Sequence, residues 1–391
     1  MPAGPFLSHK REDAHEVDRL WEELALRGAS AWQDVRDLRL GQAWGKAFRR
    51  AILWRTDGFI WWATKRSLAS ETITGREVPW ALRRALWVWR RSYPIVPLFV
   101  DIDPSRDREL LEGAFGHRRA EALLRSHGAI KEPKESLNHF SKRAARRYVK
   151  DLIRSRDTEP VLRVAITGER QPTSDHDLSL DWRAHLEEGY LADGQASLEL
   201  LRETLIDIRE AAQETATLPR IEVETHLKLP LAALVGWEWN RARQISLTIH
   251  QISPALRFIT HEQAKTQVTL PEPTVSELSG TGPAVIALST IKRLDGAARR
   301  YAEQVNACRL ICLHLPGNAE GVVGPDEIAA ASDWTAQKLG TLNDEGLEKH
   351  LLILVPSSLA TWIGAKAHGT GKTWIPFWDG DKGYRSGVEI G

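Results

Sequence analysis

Cysteine and methionine are nearly missing from this chain, with two of the first and one of the second in 391 residues. Two cysteines cannot build a disulfide framework, which excludes a stapled secreted fold and points to a reducing compartment. Their setting, "CRLICLHL" around Cys308 and Cys312, reads as a buried strand in which the thiols pack; no metal site is expected. Long apolar runs are lacking too. The longest candidate, "LVGWEWNRA", meets charge almost at once and falls far short of the roughly 20 residues a membrane span needs. No secretory leader opens the chain. The expectation is a cytoplasmic protein without a membrane partner. A P-loop is also absent, although "AKAHGTGKTWIPF" (Ala365–Phe377) carries a P-loop-like Gly371-Lys372-Thr373. The phosphate-cradling pattern needs glycine five residues before Gly371, and Lys366 stands there. Its context is reversed as well, running from helix to strand, so no triphosphate site is expected.

Net charge is nearly absent overall, at +1, but unevenly spread. Residues 1–156 carry 31 basic and 20 acidic side chains, and the remainder 22 and 32. The shift supports a domain boundary near 156. Tryptophan, by contrast, is plentiful at 16 copies.

The first 156 residues alternate apolar strands with amphipathic helices. "GPFLSHK" opens as a strand that runs into a polar turn. In "EDAHEVDRLWEELALRG", Val17, Leu20, Trp21 and Leu24 share one helical face, Asp13 and Glu16 suggest a capping box, and Gly28 supplies the stop. "ASAWQD", "DGFIWWAT" and "YPIVPLFVDI" follow as strands, the third of these four apolar on both faces as central parallel strands are. The pattern predicts an α/β domain whose ligands bind beyond the carboxyl ends of its strands.

"FLSHKRED" with its amphipathic helix, then "RDLRLG" after the second strand, resembles a TIR domain over residues 5–150. Arg36-Asp37 and Gly41 match the family's second motif, with Leu40 where proline is usual. The resemblance implies a flavodoxin-like fold and, for the enzymes of the family, hydrolysis of NAD at the nicotinamide–ribose bond by one glutamate on the helix after the third strand. One carboxylate suffices chemically, because nicotinamide leaves neutral and the developing oxocarbenium ion needs a negative charge nearby. In "SLASETITGREVPWALRRALW" that glutamate is Glu77, with Glu71 as fallback. The usual Trp-Cys pair is missing, and Ser70 precedes Glu77 by seven residues where the family has about six. Pro79 suggests that Glu77 lies near a helix start. Ser8, His9 and Lys10 follow the first strand, where they can approach a pyrophosphate. Asp34, Arg36 and Trp44 flank the loop after the second strand, where the family places ribose and base contacts. No cofactor is implied, since NAD is substrate; open-chain or cyclic ADP-ribose would be the product.

"NHFSKRAARRYVKDLIRSRDTEP" is a basic helix ending before Pro160. Phe140, Ala144, Tyr148 and Leu152 recur every fourth residue and mark a packed face, so nucleic acid is not the expected partner.

The rest of the chain repeats itself. Leu229–Gln251 aligns without a gap on Ser357–Asp379 at an offset of 128, placing Leu231-Ala232 on Leu359-Ala360 and Gly236 on Gly364. "VLRVAITG" corresponds to "AVIALSTI", and "RIEVETHL" to "HLLILVPS", with helical stretches between (Leu198–Thr215; Ala297–Val305 and Asp326–Leu339). Two α/β units of about 100 residues each make an internal duplication. They resemble a SAVED domain (157–391), a pair of CARF-like, Rossmann-like halves at 157–280 and 281–391. The resemblance implies a receptor for a cyclic oligonucleotide made by a partner nucleotidyltransferase in CBASS antiviral defence, commonly a cyclic tri-adenylate. For a TIR–SAVED fusion it further implies ligand-driven oligomers or filaments that switch on NAD hydrolysis. In each half a strand runs straight into a helix, whose N-terminus suits phosphate. Lys228, Ser357 and Ser358 stand at those junctions, and Thr167, Arg170, Thr290 and Lys292 follow the first strand of each half.

Overall fold

Buried apolar runs alternating with helices produce parallel sheets throughout the computed structural model. It describes residues 4–32, 44–87, 93–126, 128–154, 161–168, 176–216, 218–252, 257–260, 266, 268–290, 294–317, 323–379 and 383–391. The chain divides into two compact units, Met1–Pro160 with Asp175–Asp181, and Val161–Ser174 with Trp182–Gly391.

In the first unit, β1 (Pro5–Ser8), β2 (Gly58–Ala63), β3 (Ile95–Phe99) and β4 (Ala129–Ile130) lie side by side in that order, all parallel. Every residue of β2 is buried, as its two-faced apolar sequence requires. The expected strand "ASAWQD" contributes, among the described residues, one parallel bridge from Trp32 to Phe6, whose rings stack at 4.8 Å. Helix α1 (Ala14–Leu26) buries Val17, Leu20 and Leu24. Asp13 does occupy its N-cap, but the expected capping box does not form. The Asp13 carboxylate is buried and turned to other partners: the Thr64 hydroxyl donates to it at 2.8 Å and Arg66 pairs with it at 2.9 Å.

Helix α2 (Val78–Trp87) continues a helical stretch that already begins at Glu71. Between them Ile73–Glu77 forms a π turn, in which the Val78 N–H reaches back five residues to the Ile73 carbonyl. Pro79 therefore sits inside a helical run, not in a first turn as its sequence position suggested. A proline there has no N–H for residue 75 and crowds that carbonyl, and a widened turn just before it relieves both. Helix α3 (Leu137–Arg154) buries Phe140, Ala144, Tyr148 and Leu152, the face read from its periodicity. On its basic face Arg143 donates both Nε and Nη2 to the Glu135 carboxylate, at 3.0 and 2.7 Å.

The duplication in the second unit is plain in its topology. In the first half β5 (Val161–Thr167), β6 (Arg220–His226) and β7 (Ser246–Ile252) are parallel neighbours, and β8 (Arg257–Thr260) pairs antiparallel with β7. The second half has β9 (Thr274–Glu277), β10 (Gly282–Ser289), β11 (Ala307–His314), β12 (Lys349–Leu354), β13 (Thr373–Trp378) and β14 (Tyr384–Ile390), in the spatial order β9-β11-β10-β12-β13-β14. Here β10, β12 and β13 are parallel and β14 is antiparallel to β13, so β5-β6-β7-β8 map onto β10-β12-β13-β14. Cys308 and Cys312, read from sequence as thiols packed in a buried strand, are half-buried on β11.

Helices α4 (Gln195–Gln213), α5 (Leu229–Glu238), α6 (Asp295–Gln304), α7 (Pro325–Asp344) and α8 (Ser357–Lys366) fill the connections. Helices α5 and α8 are the repeated Leu-Ala-x-x-x-Gly elements, and both are apolar nearly all round because they bury each other. Their glycines explain the contact. A Cβ on Gly236 would lie 1.8 Å from the Thr361 carbonyl oxygen, and one on Gly364 would lie 1.9 Å from the Ala233 carbonyl oxygen. Residues 233 and 361 are themselves repeat partners at the offset of 128, so the pair packs about a local pseudo-two-fold axis.

The glycine-rich turn after α8 has a structural role as well. Lys349 donates to the Thr370 carbonyl and to Asn343 Oδ1, each at 2.8 Å, which ties the turn to the end of α7. Gly371 has φ +72°, and a Cβ there would meet Asn343 Oδ1 at 2.1 Å. The left-handed φ demands glycine, and a Cβ would also displace the Asn343 amide from Lys349.

Candidate functional sites

The first site gathers at the carboxyl edge of the first sheet. Strand β1 ends in Ser8, which stands level with Trp61 of β2. The chain leaving β2 is locked at once. Thr64 and Ser67 form a reciprocal capping box on the short helix Lys65–Leu68, and the Trp61 indole N–H donates to the Ser67 hydroxyl at 3.1 Å. Thr64 also binds buried Asp13, so α1 and the β2 loop are fastened together.

The next turn is the π segment that ends in Glu77. Ser8 Oγ donates to Glu77 Oε2 at 2.6 Å, a short bond between side chains 69 residues apart. Glu77 is only 5% exposed and Ser8 is buried. A buried carboxylate that accepts a hydroxyl proton is held in one orientation by a charge-assisted bond. Glu71, the fallback from sequence, is exposed six residues earlier. The seven-residue interval between Ser70 and Glu77 thereby acquires a physical account. A π turn takes up one more residue than an α turn, so the extra residue is absorbed before Glu77 and that side chain still meets β1.

The neighbouring candidates divide. His9 is half-buried with Nδ1 3.2 Å from the Leu7 carbonyl, and Lys10 is half-buried at the N-cap of the short 3₁₀ turn Arg11–Asp13. Trp44 begins the helix Trp44–Arg50. Its side chain, and Asp34 and Arg36 altogether, lie outside the described residues, as do Arg170 and Lys292 of the second unit.

The second site lies along the carboxyl edges of the repeated sheets. In the first half β5 ends at Thr167, which is buried, and the Gly168 N–H donates to the His226 carbonyl at 3.0 Å, so the loops after β5 and β6 adjoin. His226 pairs with Glu224 at 2.6 Å. Two residues on, Lys228 is the N-cap of α5. In the second half, Thr290 follows β10, and its N–H donates to the Leu354 carbonyl at 3.1 Å. The Thr290 side chain is buried and its hydroxyl has no hydrogen-bond partner among the described residues. Ser357 and Ser358 open α8, the former half-buried and the latter buried. The N-caps of α5 and α8 are the repeat partners Lys228 and Pro356, and neither side chain caps a first-turn N–H. At α5, however, Pro230 has no N–H and the Leu231 N–H already donates to the Lys228 carbonyl at 3.0 Å, so Leu229 is the residue there that can offer a first-turn amide to an anion. Ser357, Ser358 and Leu359 of α8 each carry an N–H.

One participant carries no signal in sequence. Tyr190 Oη donates to the Trp378 carbonyl and to Asp379 Oδ1, each at 3.1 Å, at the end of β13. Its ring packs edge-on against Phe377, and Lys228 Nζ lies 5.1 Å from the ring centre. Tyr190 so brings the first half's Lys228 to the second half's Trp378 and Asp379. It falls in "EEGYLADG", outside the repeat, and no spacing rule singles it out.

Residues 6–127 match the family model described as TIR domain. Among solved structures, the Acinetobacter baumannii Cap4 SAVED/CARF-domain containing receptor with the cyclic trinucleotide 2'3'3'-cAAA matches with a TM-score of 0.50 at 13% identity, covering 82% of this chain and 86% of that one. The same receptor with 3'3'3'-cAAA gives 0.49 at 14% identity, covering 83% and 86%. No curated protein sequence matches the chain significantly. Residues 6–127 thus match a TIR domain, and the chain shares its fold with the A. baumannii protein.

Proposed function

We propose that this protein is an NAD hydrolase switched on by a cyclic oligonucleotide. The observation that carries the enzymatic half is the buried Glu77 carboxylate, oriented by Ser8 at the carboxyl edge of the TIR sheet. At that edge a substrate's ribose can hydrogen-bond to the carboxylate. As the nicotinamide bond breaks, positive charge grows on the ribose and the fixed anion stabilises it, without a general acid because the leaving group is neutral. Water then completes hydrolysis to ADP-ribose. In this reading Lys10 meets the pyrophosphate, with Asp34, Arg36 and Trp44 as further contacts.

The sensing half rests on the duplicated fold and its two uncapped helix starts. A phosphodiester ring can accept from the Leu229 amide of α5 and the first-turn amides of α8, with Lys228 supplying charge and Thr290 a hydroxyl that has no partner among the described residues. A cyclic trinucleotide is the ligand of the A. baumannii receptor that shares the fold, and a cyclic tri-adenylate is our first choice here. Ligand-driven oligomers or filaments would bring TIR domains together, in keeping with CBASS-type antiviral signalling.

Nicotinamide release from NAD, measured with and without a panel of cyclic di- and trinucleotides, tests the reading. Release that requires one of them, and vanishes in Glu77→Gln while ligand binding persists, is expected. Ligand binding with no release under any condition would instead mark a non-enzymatic TIR adaptor. Loss of activity in Glu71→Gln with Glu77→Gln fully active would overturn the assignment of the carboxylate.

A further inference from the structure

Two segments of the TIR unit are basic, aromatic and free of acid. Between Trp44 and Thr56 there is no Asp or Glu, and there is none between Val78 and Val100. The structure places the ends of these segments together. Arg84 donates to the Ile52 carbonyl and lies over the Tyr93 ring at 4.3 Å, and the Tyr93 hydroxyl is 3.1 Å from Thr56 Oγ1. This clamp joins the π turn Ala51–Arg55 to the end of α2.

Around the clamp the molecule exposes side chains that a water-facing surface normally avoids. Trp54 is 74% exposed, Leu86 81% and Trp87 59%. Lys46, Arg49, Arg50, Arg55 and Arg83 of the same segments are exposed too, and Arg83 lies over the Trp87 ring at 5.6 Å. Bulky apolar groups interleaved with guanidinium groups, and no carboxylate in either segment, are the pattern of a face that rests in a bilayer interface. Indole and leucyl groups enter the boundary between headgroups and acyl chains, while arginines stay at the phosphates.

We infer that this face, built by Trp54, Leu86, Trp87 and their neighbouring arginines, binds the surface of an anionic lipid bilayer. The absence of a spanning helix among the described residues excludes crossing by those helices and leaves peripheral attachment open. Charge complementarity selects the occupant: an arginine-rich face whose two segments carry no carboxylate, with Asp57 alone beside the clamp, is drawn to anionic headgroups. The exposed Leu86 favours lipid over nucleic acid, where bases stack on aromatic rings and an aliphatic chain adds little. The inference does not depend on the chemistry proposed for Glu77.

Flotation of the full chain with phosphatidylcholine vesicles, with and without phosphatidylglycerol, is the test. Binding to the phosphatidylglycerol vesicles alone, weakening as salt is raised, is expected. Trp54→Ser with Trp87→Ser should lower it at least about tenfold, and Arg50→Gln with Arg55→Gln similarly. These side chains are exposed, so unchanged circular dichroism and melting should accompany the loss. The proposal fails if the parent ignores both vesicles at low salt, or if the tryptophan variants bind as the parent does. It fails equally if the tryptophan pair proves to hold two copies together in light scattering, or if DNA or RNA binds in place of vesicles.

Discussion

The glycine seam between α5 and α8 yields the most quantitative expectation. Adding one methyl group at Gly236 puts carbon 1.8 Å from the Thr361 carbonyl oxygen, where non-bonded atoms settle at about 3.5 Å. The obstacle is backbone, so no rotamer change relieves it, and the helices must part by about 1.5 Å. Overpacking of a tight interior costs about 1–3 kcal/mol, and a backbone obstacle belongs at or above the upper end. The better helix propensity of alanine returns about 1 kcal/mol. We therefore expect Gly236→Ala to destabilise the second unit by about 2 kcal/mol or more, a fall of about 4–8 °C in its melting transition. Gly364→Ala should behave alike, since its Cβ would meet Ala233 at 1.9 Å. Because one separation of the helices relieves both clashes, the double variant should lose less than the sum. Gly340→Ala is the control: nothing lies within 4 Å of its Cβ position, and the change should stabilise by up to about 1 kcal/mol. Calorimetry of the four variants decides. Gly236→Ala melting at or above the parent temperature would refute the pseudo-symmetric seam.

Other expectations follow from particular side chains. Ser8→Ala removes the charge-assisted bond that orients Glu77, worth about 1.5–3 kcal/mol, and should slow activated nicotinamide release about tenfold or more. Unchanged turnover would deprive Ser8 of that role. The paired Arg143 guanidinium holds the Glu135 carboxyl down at about 2, from an ordinary 4.5. A depressed carboxyl stabilises the fold above its unfolded value, so the contribution is whole above about pH 4.5 and fades as pH falls toward 2. Glu135→Gln should accordingly cost about 1 kcal/mol near neutrality, with parent and variant converging in acid; a constant gap across that range counts against the ion pair. Burial pushes the Cys312 thiol up to about 11, with Asp295 adding to the rise. Its alkylation in the native protein near pH 8 should run far slower than in the unfolded chain, followed by mass spectrometry of the labelled peptide.

Much of the architecture was legible in sequence because it rests on local patterning. The two-faced apolar run of β2, the stripe on α1 and the four-residue period of α3 each name their own burial. The gapless repeat names two similar halves without reference to any contact. Asp13 shows the limit. As an N-cap candidate it fits local rules, yet its carboxylate is drawn to Thr64 and Arg66, 51 and 53 residues away. Pro79 pointed toward Glu77 for the wrong local reason, since nothing in a short window announces that a π turn precedes it.

What the sequence by itself determined is therefore the main apolar strands and amphipathic helices, the parallel α/β character and the duplication, all encoded by hydrophobic period and spacing. What only the tertiary structure decided is which distant atoms meet. Ser8 reaches Glu77, Tyr190 joins Lys228 to Asp379, and Gly236 and Gly364 each face the other helix's backbone. Such meetings depend on helix register and strand stagger to within an ångström or so. A change of one residue, like the one absorbed by the π turn, redirects a side chain without altering the hydrophobic pattern that a sequence displays.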